Sequence, residues 1–257
     1  MRKFTFLMFC FSFFIAENLS AQVVKKTVPK KTVSKTVVSK KVTSGKTVVK
    51  KPVKPLLTKT LPDNSIKIKI VTDSGTMIVK LYDSTPLHRD NFIKLVKQGF
   101  YDSLMFHRII QGFMIQGGDP NSKNAAAGVM LGNGGDNMAR IPAEFRQSLY
   151  HKKGALAAAR DGNPEKASSA CQFYIVQGKP LSDAELDMME GRLGNKYSLE
   201  QRNNYKKLGG TPFLDQNYTV FGEVISGLEV VDKIASVPKA PGDRPIGDIR
   251  MKMELVK

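Results

Sequence analysis

The stretch Phe106-His107-Arg108-Ile109-Ile110-Gln111-Gly112-Phe113-Met114-Ile115-Gln116-Gly117-Gly118-Asp119 gathers a cation, an amide and two large apolar side chains around a glycine turn. Such a set can seat a proline ring and twist the amide bond that precedes it. Turning an X–Pro bond makes and breaks no covalent bond, yet the partial double bond imposes a barrier of roughly 18–20 kcal/mol. Catalysis has only to disrupt amide resonance, so a donor aimed at the prolyl nitrogen would favour the twisted amide over the planar one. Arg108 is the candidate donor, because a guanidinium stays charged at any working pH and carries its N–H groups in a fixed fork. The neighbouring His107 is read as structural, since this chemistry requires no proton transfer. Gln116-Gly117-Gly118 is not a phosphate loop, as no Lys-Ser/Thr follows it.

The same stretch resembles the central signature of the cyclophilin family, the cyclosporin-binding type of peptidyl-prolyl isomerases, which usually has Pro where Gln111 stands. Two later segments resemble the family in the same order. Cys171-Gln172-Phe173-Tyr174-Ile175 is similar to its Ser-Gln-Phe-Phe-Ile strand, and Phe213 to Gly222 is similar to its Trp/His-Leu-Asp-Gly-x-His/Tyr-x-Val-Phe-Gly segment. The resemblance implies a proline pocket of Phe113, Met114, Tyr174 and Leu214, with Gln116 and Gln172 as substrate-positioning amides. Ala159 and Arg160 fall on the family's backbone-contact segment; Ala158 and Arg160 depart from the Met-Ala-Asn often found there. Tyr218 stands where animal-type members carry His, and Phe213 where drug-sensitive members carry Trp, so the wall is kept and the indole N–H is lost.

From these matches, which run over about residues 64–257, a mainly β fold is expected: a closed eight-stranded antiparallel barrel capped by two helices, with an extra helical insertion. The elements can be read locally. Ile66, Ile68 and Ile70 alternate with lysines, and Met77 to Tyr82 follows Asp73-Ser74-Gly75, which predicts two strands and a tight turn. Thr85-Pro86 starts a helix that Gly99 ends, with Phe92, Leu95 and Val96 on one face. The signature supplies a strand pair, and Gln172 to Val176, Tyr218 to Val224 and Ile246 to Val256 read as strands. Ala155 to Ala159 reads as helix on propensity, and only the resemblance assigns it to a strand. Residues 181–210 exceed what typical members carry, and Leu181 to Glu190 followed by Ser198 to Lys207 predicts a helical hairpin. A short helix is expected over Gly227 to Ile234.

Composition bounds the rest. The chain has 257 residues and a net charge of +17, and residues 22–62 contribute twelve lysines with no acid. That tail has no aromatic residue, with Pro29, Pro52 and Pro55 interspersed ahead of Pro62, so it cannot bury enough surface to offset its ordering entropy. It reads as a solvated tether, with attachment to an anionic envelope surface as the sharper alternative. Nucleic acid fits least well, for want of aromatics that could stack on bases. Residues 1–21 combine a basic start, an apolar run from Phe4 to Ile15 and Ser20-Ala21 before Gln22, which reads as a secretory signal peptide and implies export to a periplasm or envelope. An uncleaved anchor competes with that reading, because Leu19 is bulky for its position. The domains expected are thus a signal at 1–21, a tail at 22–62 and an isomerase-like domain at 63–257.

With the signal removed, Cys171 is the one cysteine left and no intramolecular disulfide can form. His88, His107 and His151 lie in different elements without metal spacing, so no metal or cofactor is expected. The partners expected are proline-containing polypeptides. A non-catalytic peptide-binding or tethering module on the same scaffold is the alternative, which loss of Arg108 would have favoured.

Overall fold

A computed structural model describes residues 65–256; the expected signal peptide and lysine-rich tail lie outside the described residues. Eight antiparallel strands form one curled sheet: β1 Lys67–Thr72, β2 Gly75–Leu81, β3 Phe106–Ile110, β4 Met114–Gly117, β5 Ala155–Ala158, β6 Phe173–Val176, β7 Val220–Ser226 and β8 Met251–Leu255. Their order across the sheet is β3-β4-β6-β5-β7-β2-β1-β8. No ladder joins the edge strands β3 and β8 among the described residues, so the expected full closure is not seen. Their neighbouring ends do meet, through a Met105–Arg250 bridge and backbone bonds from Phe106 N to Ile249 O and from Met251 N to Leu104 O.

The first hairpin follows from its alternation. Ile68, Ile70, Met77 and Val79 point inward and are fully buried, and Thr72 pairs with Gly75 around a two-residue turn. Helix α1, Pro86–Lys97, buries Phe92, Leu95 and Val96 in the core. Its Thr85 cap makes no side-chain bond to the helix's first amides, its hydroxyl donating to Tyr82 O at 3.3 Å. Instead the Glu144 carboxylate accepts from Leu87 N at 3.2 Å and His88 N at 3.0 Å, which satisfies two of the amides a helix start leaves open.

The Ala155–Ala158 run is a strand, β5, and every residue in it is buried. Burial on both faces explains why helix propensity loses: Leu156 and Ala158 belong to the main core while Ala155 and Ala157 belong to a second cluster on the other face of the sheet. Two strand expectations are corrected. The last strand is Met251–Leu255 only, because Ile246 is 69% exposed and its N–H turns to Pro238 O. Tyr218 lies before β7, its N–H held by Leu214 O in a turn.

The 181–210 insertion contains two helices, α2 Asp183–Leu193 and α3 Leu199–Lys207, each opened by a capping box, Ser182 with Glu185 and Ser198 with Gln201. Arg202 of α3 clamps α2 through Asp183 at 3.0 Å, Asp187 at 2.8 Å and Glu190 at 3.2 Å. Helix α4, Leu228–Ala235, buries Val230, Val231 and Ile234.

Candidate active site

Strand alternation places Arg108, Gln116, Tyr174 and Ala157 in one row on the outer face of the sheet, since Arg108 pairs with Gln116, Gln116 with Tyr174, and Tyr174 with Ala157. Their neighbours Ile109, Ile115, Phe173 and Leu156 point into the core. The close approach of β4 and the chain entering β6 depends on glycine. At Gly118 the backbone has φ +93°, and a Cβ there would overlap the Cys171 carbonyl.

Along this row the amides are oriented in sequence. Both Gly132 O and Gly134 O accept from Gln172 Nε2 at 2.9 Å, which identifies that atom as the amide nitrogen. The Gln172 oxygen is therefore the atom facing Gln116, and it accepts from Gln116 Nε2 at 3.1 Å. That leaves the Gln116 oxygen turned toward Arg108 Nη1, which donates to it at 3.4 Å. On its other side Arg108 Nε lies 3.8 Å from Asp243 Oδ2. The Arg108 side chain remains 42% exposed, so a guanidinium fixed from two sides still faces solvent.

Beside it lies a cavity of about 120 Å³ lined by Arg108, Phe113, Met114, Gln116, Ala159, Arg160, Tyr174, Leu214 and Tyr218. Met114 and Tyr174 form its buried base. The small Ala155 and Ala157 of β5 lie in the same cluster. Leu214 ends a short 3-10 turn, Pro212–Leu214, which brings the 212–218 segment to the cavity. Arg160 sits 4.6 Å over the Tyr218 ring and donates from Nε to Asn217 O at 2.8 Å, so it holds the far wall. A second cavity of about 150 Å³ adjoins the first, sharing Gln116, Ala159 and Arg160 and adding Gln172.

Nine of the eleven residues singled out from the sequence thus line one cavity. The other two sit just off it: Gln172 acts behind Gln116, and Phe213 packs against Phe113 with the rings tilted by 34° and their centroids 5.6 Å apart, while remaining 45% exposed. His107 is buried away from the cavity, and burial pushes its pKa down to about 4.

Three residues at the site were not singled out. Asp243 flanks Arg108 from a distant loop. His151 and Asp215 stand behind Tyr174: the Tyr174 hydroxyl meets His151 Nε2 at 2.9 Å, and His151 Nδ1 meets Asp215 Oδ1 at 2.7 Å. Asp215 lies inside a segment quoted above, but only the fold brings it to His151. Burial raises the Tyr174 phenol well above its ordinary pKa, so it serves as a neutral hydroxyl.

Comparison with known proteins agrees with this geometry. A family model described as cyclophilin type peptidyl-prolyl cis-trans isomerase/CLD matches residues 67–254. A Staphylococcus haemolyticus protein with peptidyl-prolyl cis-trans isomerase in its name is 34% identical over 197 residues, covering 76% of this chain and 93% of that protein. A Staphylococcus aureus protein of the same name is 33% identical over 196 residues with the same coverage. Among solved structures, a Cryptosporidium parvum cyclophilin type peptidyl-prolyl cis-trans isomerase superposes with a TM-score of 0.54 at 24% identity, covering 75% of this chain and 98% of that one. The same protein crystallised in the presence of the dipeptide Ala-Pro gives 0.53.

Proposed function

The chain belongs to the cyclophilin-type peptidyl-prolyl cis-trans isomerase family, and from that premise we propose that Arg108 is the catalytic donor and the cavity beside it the proline pocket. The activity is rotation about X–Pro bonds, and the substrates are proline-containing polypeptides.

The observation that carries this reading is the fixed guanidinium at the mouth of an apolar cavity. With the proline ring against Phe113, Met114 and Leu214, the prolyl nitrogen comes within reach of Arg108. A donor there binds the pyramidal nitrogen of the twisted state better than the planar amide. Free X–Pro bonds turn over in about tens to hundreds of seconds, so a rate on the order of hundreds per second requires removal of roughly 5–6 kcal/mol, at about 1.36 per tenfold. One hydrogen bond to a charged group supplies about 1.5–3 kcal/mol net. The remainder comes from seating the ring in the pocket and from holding the flanking peptide through Gln116 and the Ala159–Arg160 backbone.

Two wider features belong to the same proposal. The sheet is a barrel closed at the β3–β8 seam, a reading supported by the Met105–Arg250 bridge. Export to a periplasm or envelope rests on the sequence of residues 1–21, and the lysine-rich residues 22–62 tether the domain to an anionic surface. A protease-coupled assay on an Ala-Ala-Pro-Phe peptide tests the activity directly. Acceleration proportional to enzyme concentration is expected, and a rate equal to the uncatalysed one would refute it.

A further inference from the structure

The 181–210 insertion reaches the active site through a buried chain of hydrogen bonds. Helix α3 is seated on the body of the protein by Gln201 Nε2, which donates to Gln147 O at 2.8 Å, and by Asn204 Nδ2, which donates to the Tyr150 hydroxyl at 2.6 Å. On the same helix Tyr205 is fully buried, its ring packed edge-on against Tyr150 and Tyr197 at 5.4 Å each. Its hydroxyl donates to Asp215 Oδ2 at 2.5 Å. The other carboxylate oxygen accepts from His151 N at 2.8 Å and faces His151 Nδ1 at 2.7 Å.

Donor and acceptor roles then follow in one direction. A carboxylate accepts only, so in the neutral imidazole the proton sits on Nδ1 and Nε2 is left as an acceptor for the Tyr174 O–H at 2.9 Å. The Tyr174 and His151 rings also lie nearly parallel, 12° apart with centroids 6.0 Å apart. Tyr174 in turn lines the cavity beside Arg108. Every member of the chain is buried, with no more than 5% of its surface exposed, where hydrogen bonds reinforce one another and an unpaired group is costly.

We propose that Tyr205 is a positioning residue for the isomerase reaction: through Asp215 and His151 it fixes the Tyr174 ring that forms the base of the proline pocket, so the insertion sets the shape of the groove. The proposal rests on the reading of that cavity as the proline pocket. Tyr205→Phe removes one hydroxyl and leaves the ring packing in place. Asp215 then keeps only His151, and the Tyr174 ring gains freedom.

A double-mutant cycle in the full chain tests this. Tyr205→Phe is expected to raise KM for the Ala-Ala-Pro-Phe peptide threefold or more with a smaller change in kcat, and to shift the His151 ring resonances in NMR. Tyr174→Phe is expected to weaken the peptide similarly. The double variant is expected to be no worse than Tyr174→Phe alone, because the two act through one path. Unchanged KM and unchanged His151 signals in Tyr205→Phe, or effects that multiply, would overturn the brace. If wild type proves inactive, the functional reading has failed; the brace is then decided by peptide titration, where Tyr205→Phe is expected to raise Kd threefold or more and an equal Kd would refute it. Should Tyr205→Phe fail to fold, Asp215→Asn, which keeps an acceptor for His151 N, is read against the same criteria.

Discussion

Arg108 and Gln116 stand directly opposite one another on β3 and β4, and the Gln116 oxygen takes a hydrogen bond from the Arg108 guanidinium at 3.4 Å. The orientation of that amide is inherited from Gln172 and ultimately from two backbone carbonyls at 132 and 134. The Arg108 guanidinium is therefore oriented, through two amides, by the loop that carries Gly132 and Gly134. The row works as a unit.

Replacing Gln116 with Leu should leave the fold intact, because the side chain is only partly buried, but should strand the Gln172 oxygen and release Arg108. Loss of a hydrogen bond to a charged group at about 1.5–3 kcal/mol corresponds to a fall in kcat/KM of roughly ten- to a hundredfold. Coupled-assay kinetics on Gln116→Leu check this, and a fall of less than threefold would show that Arg108 aims itself.

His107 gives a prediction about stability and pH. Burial lowers its pKa from an ordinary 6.5 to about 4, so between those values the unfolded chain binds a proton that the folded chain refuses. The contribution is fully present above about pH 6.5 and is lost as the pH falls toward 4, by about 3 kcal/mol in all. His88 is lowered by burial as well, against the opposing pull of Glu144, and adds loss of the same sign. Urea midpoints at pH 7 and pH 5 should fall in wild type and fall less in His107→Phe. Equal slopes in the two proteins would contradict the assignment.

Much of this arrangement was legible from local pattern. The alternating isoleucines gave β1, Pro86 gave the start of α1, the capped start in Leu181 to Glu190 gave α2, and the helical stretch around Ser198 to Lys207 gave α3. Seven residues of the cavity were identifiable because they lie in three short recognisable segments, and Ala159 and Arg160 because they fall on a fourth, the backbone-contact stretch after β5. Asp243 beside Arg108 was not, since nothing in Gly242-Asp243-Arg244 marks a partner for a guanidinium in a distant strand. His151 and Asp215 escaped for the same reason: their contact spans 64 positions and depends on β6 lying between them and the groove. Phe213 was placed in the wall, whereas its side chain backs Phe113 and stays 45% exposed. A local pattern states which face a residue is on. Only packing states what stands behind it.

The tail should be dispensable for turnover and necessary for attachment. Residues 22–62 supply twelve positive charges and no aromatic anchor, so their attraction to an anionic surface acts over the Debye length. That length is about 10 Å at 0.1 M salt and about 3 Å at 1 M. Sedimentation with anionic vesicles should capture the chain from residue 22 onward and not the chain from residue 62, with capture lost between about 0.05 and 0.5 M salt and peptide turnover equal in both. Equal vesicle binding at low salt would reduce the tail to a spacer.

The central claim is that the Arg108 guanidinium stabilises the twisted prolyl amide, and peptide turnover by Arg108→Ala tests it most directly. The side chain is half exposed and contributes little to the core, so the variant should show a native-like circular dichroism spectrum. The account predicts a loss of at least tenfold in kcat/KM on Ala-Ala-Pro-Phe, with poor rescue in Arg108→Lys because a point charge on a flexible stem cannot reproduce the planar fork. A natively folded Arg108→Ala protein with undiminished turnover would contradict it.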